Sequence, residues 1–179
     1  MIFFIIIFFC CTYSLAKSNQ EIKVSIKTIF GNYPALKTNL QIPSFEGFND
    51  KKIQEFISAR IEKDIFEFLD NLSGESKKYL EKAKEAGWQT RKYNGETIFE
   101  LHYLSEKVLS FSLIFYSYTL GAHGYTERVS YNFDLETGKE INIEDLFVNY
   151  AHYQELINQE IKKQILVEKE IYFNVGEDF

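Results

Sequence analysis

The sequence predicts an α+β fold, an antiparallel β-sheet with two main amphipathic helices packed on one face. Three observations lead there. Period-two alternation of apolar residues marks Glu21–Phe30 and most of 88–135. A long apolar stripe at helical spacing occupies Ile53–Leu72, and a second closes the chain between Tyr150 and Ile165. The order is strands, helix, strands, helix. It lacks the regular strand–helix alternation that a parallel wound sheet requires.

The chain opens on an unbroken apolar run, Met1 to Cys11, followed by Thr-Tyr-Ser14-Leu-Ala16. A short apolar block closed by a small-x-small site is the pattern of an export signal, cut after Ala16. The block Ile2–Cys11 is shorter than the ~20 residues that a bilayer-spanning helix needs. No basic residue precedes it, so only the α-amino group supplies positive charge. This divides the chain into a signal peptide, 1–16, and a single domain, 17–179, which is expected to be periplasmic, secreted or envelope-anchored. Both cysteines, Cys10 and Cys11, fall in the leader. The remaining domain therefore has no disulfide, no thiol nucleophile and no cysteine-ligated metal. The alternative is lipidation of Cys11, which would tether the domain to a membrane. Phe8-Phe9-Cys10 fits a lipoprotein processing box badly.

Within the domain, Ile22, Val24 and Ile26 alternate with Lys23, Ser25 and Lys27, the signature of a half-buried strand. Gly31-Asn32-Tyr33-Pro34 breaks it. Leu36, Leu40 and Ile42 predict a second extended segment ending at Pro43. Asn49 or Asp50 caps the first helix, whose stripe is Ile53, Phe56, Ile57, Ile61, Ile65, Phe68, Leu69 and Leu72. Ser73-Gly74 is expected to interrupt it, and the polar stretch to Ala86 forms a second helix or a loose segment. Asn94-Gly95 predicts a tight hairpin turn between Trp88–Tyr93 and Glu96–Leu104, because that pair readily takes positive φ. Val108–Thr119 is a long strand with Leu109, Phe111, Leu113 and Phe115 on one face and Ser110, Ser112, Ile114, Tyr116 and Tyr118 on the other. Tyr125–Leu135 pairs with it. Thr137-Gly138 turns the chain, Ile141 and Ile143 suggest a short strand, and Glu144–Phe147 one helical turn.

Composition excludes some partners. The net charge is −6, so nucleic acid and anionic lipid are repelled on average. Lys77-Lys78 and Lys162-Lys163 are isolated pairs that fit solvated helix faces. His102, His123 and His152 fall on a strand, a loop and a helix, with no ligand spacing, so neither a metal nor a cofactor is expected. There is no Gly-x-Ser-x-Gly elbow and no phosphate-cradling glycine loop. Asp134, Glu136, Glu140, Glu144 and Asp145 crowd one stretch. Paired carboxylates serve glycoside chemistry, but acids also favour turns and helix starts, and no catalytic residue is assigned.

The candidate ligand-binding residues are Tyr116, Tyr118, Gly121, His123, Gly124 and Tyr125, in the connection between the two long strands. Glycines permit positive φ and close backbone approach. Tyrosine combines flat apolar area with a hydroxyl, which suits sugar or protein contacts.

The blocks Gly121-Ala-His123-Gly124, Asp134-Leu-Glu-Thr-Gly138-Lys and Asp145-Leu-Phe147 occur here in one order, after Tyr33-Pro34 and a long helix. That order resembles a bacterial extracytoplasmic domain family of unknown function. The family is found at the N-terminus of the peptidoglycan deacetylase PdaC and in the outer, lysozyme-binding part of the anti-sigma factor RsiV. The resemblance spans roughly Glu21 to Phe179. It implies an α+β module at the cell envelope. The deacetylase chemistry belongs to a domain absent here, and the sigma-binding segment and spanning helix are also absent. Family members continue past the last helix into further strands, so a shortened or fragmentary member with one sheet edge unpaired is expected, and an open edge pairs with other chains. The favoured reading is an exported, non-catalytic binding module whose ligand is peptidoglycan or a lysozyme-like protein. The alternatives are a cell-wall polysaccharide hydrolase or deacetylase accessory, using carboxylates near Asp134 and a histidine, and a structural envelope protein that needs a partner chain.

Overall fold

The computed structural model describes residues 6–9, 22–148 and 152–167. The cleavage site after Ala16 and the Cys11 position lie outside the described residues. Met1–Glu140 form one compact unit and Ile141–Phe179 a second.

The first unit is a six-stranded sheet in simple sequence order with one long helix. Its strands are β1 (Ile6–Phe9), β2 (Lys23–Asn32), β3 (Leu36–Glu46), β4 (Tyr93–Leu104), β5 (Val108–Tyr118) and β6 (Tyr125–Asp134), and the helix is α1 (Lys51–Glu85). All neighbours are antiparallel except β3 and β4. That pair is parallel because α1 is the crossover between them, returning the chain to the end from which β3 started. The α+β class is as the patterning predicts, with one parallel pair added by the crossover.

α1 is a single helix of 35 residues, about 52 Å long at 1.5 Å per residue. The Asp50 carboxylate accepts from the Lys52 backbone N–H at 2.7 Å and caps its start. Ser73-Gly74 does not interrupt it. A Cβ at Gly74 would meet nothing within 4 Å, and the residues after it continue one amphipathic pattern through buried Ser76 and Ala83. The helix ends at Gly87 (φ +68°), where Trp88 N–H donates to Ala83 O and Gly87 N–H to Lys84 O. This is the αL termination that glycine favours.

The buried stripe of α1, Ile53, Ile57, Ile61, Ile65 and Leu72, lies on a core that includes Leu109, Phe111, Leu113, Tyr131 and Phe133, all 1% exposed or less. Aromatic rings dominate its centre. Phe111 stacks on Tyr131 with centroids 4.8 Å apart and meets Phe45 at 5.5 Å and Phe99 at 5.6 Å. Farther along α1, Phe68 meets Phe115 at 5.3 Å, and Tyr79 stacks on Tyr93 at 5.5 Å.

Three local expectations are corrected. Asn94-Gly95 is no turn, because both residues lie inside β4, paired with Lys37 and Thr38 of β3. Glycine is needed there for close approach, since a Cβ at Gly95 would stand 2.5 Å from Leu72 Cδ2 of α1. Residues 87–92 are not a strand, and Trp88 is exposed. Pro43 does not end β3, which runs on to Glu46. The parallel ladder itself stops at Leu40–Thr97. Beyond it the Gln41 side-chain oxygen accepts from Phe99 N–H at 2.9 Å, and Gln41 O accepts from the Thr97 hydroxyl at 3.0 Å. Side chains thus replace the missing rungs where β3 parts from β4.

In the second unit, a single 3-10 turn (Ile143–Leu146) begins where the Asp145 carboxylate accepts from Asn142 N–H at 2.9 Å. It occupies the Ile143 position expected to be extended. At the end of the first unit, Glu140 forms an isolated bridge opposite Phe133. The last helix, α2, spans Tyr153–Val167. Its isoleucines at 157, 161 and 165 recur every four residues, as an amphipathic helix requires.

Candidate functional site

The Thr119–Gly124 connection between β5 and β6 carries the left-handed backbone at Leu120 (φ 69°). Neither Gly121 nor Gly124 adopts it. Gly124 is required for space instead: a Cβ there would collide with the Tyr116 ring. Gly121 has open space around it, its nearest atom being His123 O at 3.9 Å. His123 is exposed, with Nδ1 3.2 Å from Gly124 O, so the tautomer protonated on Nδ1 donates to that carbonyl.

Strand register separates the tyrosines. Residues directly opposite across a ladder share a face. Tyr125 is opposite Ser117, and Ser117 is opposite Gly95, which meets Leu72 and Phe68 of α1. Tyr125, 67% exposed, therefore belongs to the helix side. Tyr116 and Tyr118 belong to the face away from α1. There Phe30, Asn39, Glu96, Tyr116 and Thr126 form one row across five strands. Asn32, Lys37, Asn94 and Tyr118 form another across β2–β5. The predicted residues are thus partly brought together: Tyr116 packs on Gly124 beside His123, Tyr118 lies two residues along the same strand face, and Tyr125 points elsewhere.

The β2, β3 and β4 parts of these rows line a cleft of ≈ 360 Å³, with Phe30, Asn32, Lys37, Asn39, Asn94 and Glu96 around Gly31 and Gly95. Phe30 is 42% exposed. Asn32 Oδ1 accepts from Lys92 Nζ at 2.5 Å. Asn39 Oδ1 is buried without a hydrogen-bond partner. None of these residues was flagged by sequence reasoning. Alternation along single strands is visible in a sequence, but this grouping depends on how β3 registers against β4 after a 35-residue helix.

Farther along the same face, the β4 bulge at His102 breaks the register between Leu101 and Tyr103 and aims the imidazole across the strand. His102 Nε2 lies 2.6 Å from Ser112 Oγ, Ser112 Oγ lies 3.4 Å from Ser130 Oγ, and the Ser110 hydroxyl donates to Asn132 at 2.7 Å. Ser112 is buried and its strand is paired on both sides. The His–Ser contact is therefore a rung of a hydroxyl ladder rather than an exposed nucleophile with free amides to receive an oxyanion.

The carboxylates are dispersed. Asp134 accepts from the backbone N–H of Glu136 and Thr137 at 2.8 and 2.9 Å. The Thr137 and then the Glu136 amide hold its carboxyl below the usual range. With Gly138 at φ +74°, the Asp134–Lys139 block is a self-bonded turn. Glu136 pairs with Lys107 at 3.0 Å, and Glu140 lies 3.7 Å from Arg60. Arg60 in turn binds Asp64 at 2.9 Å, and Asp64 Oδ2 accepts from the Tyr131 hydroxyl at 2.8 Å. Burial, then the Asp64 bond, raises the Tyr131 phenol well above its ordinary value. This network fastens α1 to β6. Among the described residues, no group of three or more histidines, cysteines or acids gathers as a metal site, and no helix is long and apolar enough to cross a membrane.

A family model described as deacetylase PdaC matches residues 29–126. The chain belongs to the PdaC family. The match includes the cleft, α1 and the β5–β6 connection, and it stops before the Asp134 turn. A DUF3298-family protein from Bacteroides fragilis NCTC 9343 shares the fold with a TM-score of 0.61 at 16% identity, over 88% of this chain and 73% of that one. A DUF3298-family protein from Pseudomonas aeruginosa PAO1 does so with a TM-score of 0.55 at 14% identity, over 85% and 69%. No curated protein matches the sequence. The family is the one the glycine–histidine, Asp-x-x-Thr-Gly-Lys and Asp-Leu-Phe blocks point to, although the last two blocks lie outside the matched segment.

Proposed function

We propose that this PdaC-family chain is an exported, non-catalytic binding module of the bacterial cell envelope, with peptidoglycan as its ligand. The observation that carries this reading is the face away from α1. Phe30, Asn39, Glu96 and Tyr116 lie in one row beside a cleft there. Aromatic rings next to amides give the apolar area and the hydrogen-bonding groups that sugars need. The acids that a hydrolase or deacetylase accessory would recruit are engaged otherwise: Asp134 in its own turn, Glu136 and Glu140 in ion pairs. The apolar run to Ala16 supports export, cleavage then removing β1 and leaving β2 as the sheet edge, and peptide sequencing of the mature chain tests it. A start at Lys17 is expected, a lipidated start at Cys11 gives the anchored form, and an intact Met1 on cytoplasmic protein overturns export.

Cosedimentation with purified peptidoglycan tests the ligand. The chain is expected in the pellet, with Tyr116→Ala lowering retention about tenfold, the loss of roughly 1.4 kcal/mol of contact. A chain that stays in the supernatant but is captured on immobilised lysozyme has a protein ligand instead. Release of acetate or reducing ends from the same wall preparation would overturn the non-catalytic reading.

A further inference from the structure

We infer that the cleft between β2, β3 and β4 is a subsite for a neutral saccharide chain, which continues along the sheet face over Tyr116. This rests on the binding-module reading and adds the place and chemical class of the ligand.

The cleft's chemistry selects against other ligands. Its side chains include three primary amides, from Asn32, Asn39 and Asn94, with one cation, Lys37, and one anion, Glu96. Lys37 and Glu96 offset each other within the lining, and the Lys92 ammonium beside it is engaged on Asn32 Oδ1, so neither a polyanion nor a polycation is strongly drawn in. The Asn94 amide both donates and accepts, which matches vicinal hydroxyls that do the same, while Asn32 Oδ1 already holds Lys92 and Asn39 Oδ1 is buried. The exposed Phe30 ring supplies a flat apolar wall for the C–H face of a sugar ring. The volume of ≈ 360 Å³ is at the small end of ligand pockets.

The geometry sets the direction of the chain. Phe30, Asn39 and Glu96 are direct neighbours on three adjacent strands, so they span ~10 Å at ~4.8 Å per strand. That is the length of a disaccharide. Tyr116 is the next residue in the row, one strand spacing farther, with its ring resting against Gly124. A linear glycan lying across the strands therefore meets an aromatic at each end and amide or carboxylate groups between.

The test is an NMR titration of the isotope-labelled chain with chitotetraose. The expected result is shift changes concentrated at the amides of Gly31, Asn94 and Gly95, extending to Tyr116. Phe30→Ala and Asn94→Ala should each weaken binding about tenfold, and Phe66→Ala, an exposed residue of α1 on the other side of the sheet, should leave it unchanged. Glu96→Gln keeps the shape and serves if a truncation unfolds the chain: it should weaken binding while preserving the spectrum. Shifts confined to Gly121–Gly124, or no shifts at all, overturn the cleft assignment. The two proposals fail separately. Unchanged peptidoglycan retention in Phe30→Ala removes the cleft and leaves the module, whereas chitotetraose binding without peptidoglycan retention keeps the cleft and removes the envelope ligand.

Discussion

The two faces of the sheet are built from the same strands yet do opposite work. On the α1 side Leu109, Phe111, Leu113 and Phe115 of β5 are apolar and buried, and rings interlock at 4.8–5.6 Å. On the other side the same strand presents Ser110, Ser112, Ile114, Tyr116 and Tyr118, tied sideways by hydroxyl contacts to β4 and β6. One face stores the stability of the unit, and the other offers groups that hydrogen-bond outward. Substitutions should divide accordingly, with large stability effects on the first and binding effects on the second.

The largest expected effect is Phe111→Ala. The ring is fully buried and touches Phe45, Phe99 and Tyr131, so the cavity should cost ~3–5 kcal/mol, measured by urea unfolding. A cost near zero would mean that the aromatic cluster is not the centre of the core.

The two close-packed glycines sharpen the comparison. Gly95→Ala drives a methyl group into Leu72 of α1 and should cost ~1–3 kcal/mol as overpacking, with no change in saccharide affinity once the chain is folded. Gly124→Ala displaces the Tyr116 ring. That ring is only half-buried and can swing, so stability should fall by less than about 1 kcal/mol while peptidoglycan retention drops. Equal losses of stability in the two variants would erase the distinction between the faces.

Those glycines also mark how far the sequence could be read. β5 and the first half of α1 follow from periodicity because each buries one face over most of its length, and β6 follows from the alternation that ends in buried Tyr131 and Phe133. Gly95 reads as a turn because Asn-Gly is a turn signal when considered locally, and only the approach of Leu72 from a distant helix reverses it. Gly74 reads as a break because its cost is local and the gain, a helix long enough to reach Tyr93 through Tyr79, is tertiary. At the site, Tyr116 and Tyr118 were legible from alternation along β5. Phe30, Asn39 and Glu96 were not, since their row exists only after a parallel register is set across the crossover.

The Tyr131–Asp64 bond belongs to the stability face although it is polar, and its removal should be milder. Tyr131→Phe keeps the ring stacked on Phe111 and leaves Asp64 bound to Arg60, so the expected cost is ~0.5–1.5 kcal/mol. The pH dependence is more specific. Burial raises the folded phenol's pKa, while the unfolded chain ionises near 10. Above that value the unfolded state holds fewer protons than the folded state, so stability falls as pH rises from about 10 toward the folded value. Tyr131→Phe should flatten that alkaline limb in denaturation curves between about pH 9 and 11. An unchanged slope would place the phenol in solvent.

The smallest expected effect runs the other way. Gly74 sits in the middle of α1 with nothing within 4 Å of a built Cβ, and its backbone is helical. Alanine there restricts the unfolded chain and meets no obstacle, so Gly74→Ala should stabilise the unit by ~0.5–1 kcal/mol, read as a raised melting temperature. The position lies between the isoleucine stripe that faces the aromatic core and the Tyr79–Tyr93 stack that reaches the start of β4. If the glycine were a hinge needed for ligand binding, alanine would raise stability but weaken peptidoglycan retention. Retention equal to the unsubstituted chain would instead make α1 a rigid backing and assign the binding work to the opposite face alone.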